Sequence, residues 1–381
     1  MFKNLSLRSR DINEAHRAAT PLELLFDLMS VIAIAAAAAG LHHAIAEAHF
    51  IEGILKFAAA FFGIWWAWMN YTWFASAYDN DDTLFRLLTM TIMGGALVIA
   101  AGIDAFFAAA DLTLIVIGYV IMRLVMVVLW LRVAGHESAE RKTALWYAGG
   151  IAIAQTYWVA LCFSKIDPGI LFCTLFVIGA ALELIVPALA ERKGTTSWHR
   201  HHITERYGLL TIIVLGETLL AAATALESTA EGFNSSLVTI AGSALVVVCS
   251  LWWLYFSKEE HLANNNSPRA FVWGYGHAFI FAAGAAVGAG FSVLVDIVTG
   301  RAEVDLLVGD YSVAVPIAVY LIGLWFVRDR FVLKGVARYV LPLFSILVLI
   351  ASPLLSIAGP AILTAVCVVV RDYTAHKFTL A

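Results

Sequence analysis

Glu217 lies inside a long aliphatic run, Val214-Leu215-Gly216-Glu217-Thr218-Leu219-Leu220. A carboxyl group surrounded by hydrocarbon is either neutral or paired with a cation, and a neutral one can carry a proton, as intramembrane carboxylates do in proton-linked pumps and carriers. Similar runs hold Glu23, Asp27, Arg123, Glu183 and His277. Glu23 and Asp27 are four residues apart, hence on one helix face. The imidazole of His277 can titrate near neutral pH and relay protons. Each group also has a plainer reading. Thr20-Pro21-Leu22-Glu23 spells a helix start, with Thr20 as N-cap, proline at the first helical position and a glutamate closing a capping box. Glu217 has a structural partner available in Arg123, the one basic residue in mid-run. Glu183 lies near the end of its run, where it can snorkel or pair, and His277 suits a hydrogen-bonded core position. Trp65, Trp66, Trp68 and Trp73 fit an interfacial belt or the rim of a cavity.

The elements that position these groups follow from composition. Of 381 residues, 61% are apolar and 14% charged, against about 45–50% and about 25% in soluble domains. Apolar runs long enough to span a hydrocarbon core are expected near 22–44, 52–75, 84–104, 112–133, 144–163, 169–189, 203–226, 237–256, 271–298, 311–327, 336–351 and 354–370. The fold class is therefore all-α: a polytopic helical membrane protein with about twelve transmembrane helices. The last two runs, broken by Pro342, Pro353, Gly359 and Pro360, read as two short helices or as one kinked helix with a re-entrant piece. With an even count, nearly all Lys and Arg fall on one side, the exceptions being Lys56, Lys165, Arg301 and mid-span Arg123. That asymmetry places both termini in the cytoplasm. The polar segment 1–20, followed by a first span carrying Glu23 and Asp27, does not resemble a cleavable signal.

A net charge of −4 leaves no basic excess for nucleic acid. Cys162, Cys173, Cys249 and Cys367 all fall in spans, so neither a disulfide nor a cysteine metal site is expected. Two histidine clusters, His42-His43 with Glu47 and His49, and His199 with His201 and His202, lack recognised metal spacing. Neither a metal nor a cofactor is expected. Phosphate loops, dinucleotide fingerprints and nucleophile elbows are absent, which argues against ATP-driven transport and most membrane hydrolases.

An internal repeat organises the spans. Glu23 to Ile34 lies over Glu205 to Gly216, and Trp65-Trp66-Ala67-Trp68 over Trp252-Trp253-Leu254-Tyr255. Acidic loops follow both aromatic stretches, Asp79 to Asp82 and Glu259-Glu260. Two parallel six-helix pseudo-repeats are expected, 21–190 and 203–374, an arrangement whose sites sit between the repeats in transporters.

The stretch from His202 to Glu217, HITERYGLLTIIVLGE, closely resembles the signature of bacterial low temperature requirement A proteins, H-x-x-E-R-x-G-L-x-x-I-I-x-L-G-E. Glu23-Leu24-Leu25-Phe26-Asp27-Leu28 resembles the opening motif of that family, with Leu25 where a second aromatic is usual and Met29-Ser30 where Val-Phe is usual. Trp65 to Trp73 with Tyr78-Asp79 and Asp81-Asp82 resembles its second-span motif, and Tyr275-Gly276-His277 its later Y-x-H. The resemblance covers about 20 to 370. It implies a polytopic plasma-membrane protein named for a requirement during growth in the cold, without a settled biochemical activity. It directs attention to Glu23, Asp27, Asn70, Tyr71, Asp79, Glu205, Arg206, Glu217 and His277. Glu205, Arg206, Asn70, Tyr71, Asp79 and Asp82 are expected to line a cytoplasmic mouth.

Three functions compete. The first is a secondary transporter or proton-coupled carrier with Glu217, Asp27, Arg123 and His277, joined by Glu23 and Glu183, around a polar site between the halves. The second is a membrane-embedded lipid-handling enzyme, and the third a structural or sensory protein supporting growth in the cold. An enzyme is the less favoured reading. Expected partners are membrane lipids, a small solute or proton, and a second copy in a homo-oligomer.

Overall fold

A computed structural model of the chain describes residues 7, 9–11, 17–136, 139–164, 166, 169–229, 234–257 and 267–379. Lys165 and the Glu259-Glu260 pair, named above, lie outside the described residues, as does most of segment 1–20. Every regular element among the described residues is helical. In chain order they are α1 (Pro21–Ala46), α2 (Phe50–Tyr78), α3 (Thr83–Ala109), α4 (Thr113–His136), α5 (Arg141–Phe163), α6 (Ile170–Ala190), α7 (Arg200–Thr229), α8 (Ser235–Phe256), α9 (Ser267–Val298), α10 (Leu306–Leu324), the short α11 (Arg330–Val332), α12 (Val340–Leu355) and α13 (Gly359–Thr379). Helix is the required answer for a spanning segment, because every backbone polar group must be satisfied within it.

The ends are set by local chemistry. Asp82, Asn234 and Asp305 cap α3, α8 and α10 by accepting a hydrogen bond from a backbone N–H of the first turn. Thr20 and Glu23 form the capping box written in the sequence: Thr20 N–H donates to Glu23 Oε2 at 2.8 Å, and Glu23 N–H to Thr20 Oγ1 at 3.3 Å. The last apolar stretch is two helices. A short 3-10 turn, Ser356–Ala358, separates α12 from α13, and Ser356 adopts a left-handed φ of 54° there.

Among the described residues, eleven helices are long and apolar enough to cross a membrane. The expected fifth span, α5, is not among them although it has 23 residues. Arg141, Lys142, the Gly149-Gly150 pair, Gln155 and Thr156 dilute its apolar character.

By contact the chain divides into two compact units, one holding Met1–Ala36 and Ala59–Tyr207, the other Ala37–Ala58 and Gly208–Ala381. In the first, α3 packs on α4, α4 on α5 and α5 on α6. Helices α3 and α4 meet backbone to backbone: a Cβ on Gly95 would stand 2.7 Å from the Gly118 carbonyl oxygen, and one on Gly118 2.5 Å from that of Gly95. In the second unit, α9 packs on α10, α10 on α12, α12 on α13 and α13 on α8. A Cβ on Gly288 of α9 would stand 2.9 Å from the backbone of Glu217 on α7, so the small residue at this position permits the close approach. After α10 the chain widens into a π-turn, Trp325–Asp329, which tucks Arg328 and Asp329 inside.

Candidate functional site

Two helices of the first unit each carry polar groups one turn apart. On α1 these are Glu23 and Asp27, and on α7 they are His202 and Arg206. Side chains at i and i+4 share a face, and here the two faces meet. Arg206 clamps Asp27 through two bonds, Nε to Oδ2 at 3.0 Å and Nη2 to Oδ1 at 2.6 Å. Its third nitrogen, Nη1, lies 2.9 Å from Glu23 Oε1, and His202 Nε2 lies 3.0 Å from that same oxygen. Trp68 of α2 donates its indole N–H to Asp27 Oδ1 at 2.6 Å. All five side chains are fully buried.

The ring around this cluster is polar but local. Arg17 donates to the carbonyl oxygens of Ala75 and Ser76. Glu205 accepts from the Ala19 N–H at 3.0 Å. Tyr71 shares a hydrogen bond with Thr89 at 3.0 Å, and Asn70 donates to the Trp66 carbonyl of its own helix. Asp82 pairs with Arg132 at 2.9 Å while capping α3. Asp79, in the α2–α3 loop, accepts from the Asp81 N–H at 2.8 Å. Burial, and after it the charge of Glu23, push the Asp79 carboxyl up to about 6. The six residues expected at the mouth therefore make separate contacts, and Arg206 alone among them belongs to the central cluster.

The same unit holds a second buried cluster, around Glu183 of α6. Oε2 accepts from Arg123 Nη2 at 2.8 Å and from Trp66 at 3.0 Å. Oε1 accepts from Tyr119 at 2.8 Å, Gln155 at 2.9 Å and Trp158 at 3.3 Å. Helices α2, α4, α5 and α6 each contribute to it. Arg123 is thus paired with Glu183 in place of the expected Glu217, because α4 and α6 converge on the same interior through α5. Tyr119 and Trp158 also form part of the wall of an apolar cavity of about 50 Å³ lined further by Phe62, Ile99, Ile115 and Phe176, room for about one or two waters.

In the second unit, His277 has both ring nitrogens engaged, Nδ1 with the Trp273 carbonyl at 2.7 Å and Nε2 with Tyr255 OH at 3.1 Å. Glu217 is half-buried and makes neither a hydrogen bond nor an ion pair among the described residues. His42, from the first histidine cluster, lies 2.7 Å from Asp296. Among the described residues no group of three or more ligating side chains could hold a metal.

Two features escaped the sequence. His202 was grouped with neighbouring histidines, although its one-turn spacing from Arg206 mirrors that of Glu23 and Asp27. Arg328 and Arg371 read as cytoplasmic charges at the ends of apolar runs, and Asp329 carries no signal of its own. They form a buried triad in which Arg371 holds Asp329 through Nε at 2.8 Å and Nη2 at 3.0 Å, and Arg328 Nε meets Asp329 Oδ1 at 2.6 Å. The π-turn, which composition does not announce, brings Arg328 and Asp329 inside to meet Arg371 of α13.

Counting charge separates the clusters. Glu183 faces one guanidinium and is balanced. Glu23 and Asp27 face one guanidinium, so among the described residues the cluster is one positive charge short, a difference that a proton on His202 or a carboxyl would make up. Nearby, the charge of Arg17 bears on His202 and on Asp79, and Arg10 Nη1 donates to the Asp79 carbonyl at 3.2 Å. An unbalanced buried cluster holding an imidazole can bind and release a proton; a balanced one with five donors has no such need.

The model of the family described as bacterial low temperature requirement A protein (LtrA) matches residues 18–371. A curated relative, "Uncharacterized protein RA0937" of Rhizobium meliloti (strain 1021), is 26% identical over 273 residues, covering 67% of this chain. The chain spans 64% of that relative's length. No solved structure matches.

Proposed function

This chain belongs to the bacterial low temperature requirement A family of membrane proteins, and from that premise we propose that it is a proton-coupled secondary carrier whose proton resides in the Glu23–His202–Arg206–Asp27 cluster. The observation that carries this reading is the charge deficit: two fully buried carboxylates share one guanidinium beside an imidazole 3.0 Å from Glu23. The family motifs support it as well, since the E-L-L-F-D-L stretch supplies both carboxylates and the H-x-x-E-R stretch supplies the imidazole and the guanidinium. In the same reading the chain lies in the bacterial inner membrane with both termini cytoplasmic, on the strength of its Lys/Arg distribution. Glu217, without a counter-ion among the described residues, is a second exchangeable carboxyl deeper along α7.

The test uses the full chain in proteoliposomes loaded with a pH-sensitive dye and exposed to a panel of amino acids, organic acids and sugars. A carrier alkalinises or acidifies the lumen on addition of a solute class that it accepts, and Glu23→Gln and His202→Gln abolish that response. In parallel, the imidazole nitrogens of His202 are followed by NMR between about pH 5 and pH 8. A silent panel together with an unchanging His202 would sink the carrier reading and leave the cluster as a structural tie.

A further inference from the structure

Past the π-turn, four cations of the second unit gather at one turn. Arg330, Lys334 and Arg338 follow one another between α10 and α12, and Arg269 joins them from the start of α9. None of the four pairs with a carboxylate among the described residues. The guanidinium of Arg330 lies over the Phe326 ring at 3.9 Å and the Phe331 ring at 4.4 Å, and Arg269 covers Phe331 at 4.8 Å. Arg330 Nε is buried without a hydrogen-bond partner, and Arg338 is near enough for its charge to oppose that of Arg330. Beside them lies an open hollow of about 530 Å³ lined by Leu333, Lys334, Gly335, Val336, Arg338 and Tyr339. Gly335 turns the chain there with a left-handed φ of 57°. Around the hollow, Val336 (63% exposed) and Tyr339 (59%) stand free beside exposed Phe331.

Like charges held close without a counter-ion repel, and an anion entering the hollow removes that repulsion while supplying acceptors for the unsatisfied N–H. The setting narrows the anion's identity. The turn joins the ends of two membrane-crossing helices, where mixed aromatic and basic residues sit at head-group depth, and basic pockets at that depth take lipid phosphates. We propose that the Arg330–Tyr339 turn, with Arg269, binds the phosphate head group of an anionic phospholipid whose acyl chains run along the exposed faces of Phe331, Val336 and Tyr339. The site is independent of the carrier reading and of the Glu23 cluster.

Binding is measured on the purified full chain in neutral detergent by native mass spectrometry, titrating phosphatidylglycerol against phosphatidylcholine. Phosphatidylglycerol is expected to bind more tightly, and the Arg330→Gln/Arg338→Gln double variant to bind it about thirtyfold more weakly, at about fivefold per cation removed. Raising salt should shrink the difference, since the contact is partly exposed. Should the double variant fail to keep the wild-type melting profile, the exposed pair Lys334→Gln/Arg338→Gln replaces it. Arg86→Gln, which alters an exposed ion pair of the first unit, should leave binding unchanged. Equal binding of the two lipids, or full binding by a folded variant, overturns the proposal. Displacement of the lipid by glycerol 3-phosphate at matched concentration would assign the hollow to a soluble phosphate ester and overturn the lipid assignment.

Discussion

The two clusters of the first unit are built from the same materials and differ in arithmetic. Around Glu183, one carboxylate meets one guanidinium and four neutral donors, and its two oxygens are saturated. Around Arg206, one guanidinium serves two carboxylates, and an imidazole stands where a second cation would go. Both are sealed from water, so burial does not distinguish a tie from a switch; stoichiometry does. A buried ion pair is weak evidence for net stability, yet removing one partner is costly because the other charge stays behind. That asymmetry makes the comparison measurable.

The largest contrast should come from matched acid-to-amide changes. Glu183→Gln strands Arg123 as an uncompensated buried charge and should cost about 3–5 kcal/mol, read as a lowered midpoint of unfolding in detergent. Adding Arg123→Met to that variant should recover most of the loss; no recovery would mean that the cage matters through its donors and not through its charge. Next in size is Asp79→Asn. Below the ordinary carboxyl pKa of 3.8 both folded and unfolded chains hold the proton, whereas above about 6 the folded chain carries a buried charge. Wild-type stability should therefore fall as pH rises through that window while the variant stays level, a gain for the variant of at most about 3 kcal/mol at pH 8. Coincident pH profiles for the two proteins would contradict it.

Glu23→Gln is expected to be mild, about 1 kcal/mol, because it leaves Asp27 and Arg206 balanced and keeps an acceptor for the Thr20 N–H. A loss as large as that of Glu183→Gln would erase the distinction between the clusters. Smallest of all, Glu217→Gln should shift stability by no more than about 0.5 kcal/mol, since no cation among the described residues depends on it. A larger loss would reveal a partner for this carboxyl.

Much of the fold was legible because membrane helices advertise themselves. Apolar runs and the Thr20–Glu23 box placed most helix ends within a few residues of their observed positions. The one-turn spacing of Glu23 and Asp27 marked a shared face before any partner was known. What remained hidden depends on tertiary approach. Arg123 had two acids in hydrocarbon to choose from, and depth alone favoured Glu217; the choice of Glu183 follows from the packing of α4, α5 and α6. Trp68 looked like one of several interfacial rings, and nothing local separates the indole that donates to Asp27 from its neighbours. Arg328 and Arg371 read as solvated charges because each lies at the end of an apolar run, where such residues ordinarily meet water.

The modest apolarity of α5 bears on how the chain is made. A segment offered to the membrane during synthesis is retained according to its own transfer energy, and α5, with its basic start, paired glycines and Gln155, is poorly retained alone. Its security comes from Gln155 and Trp158 reaching Glu183, a residue translated later, on α6. The fifth helix therefore depends on the sixth for its place, and the Glu183 cage doubles as an assembly checkpoint: until α6 emerges, α5 has no carboxylate to hold.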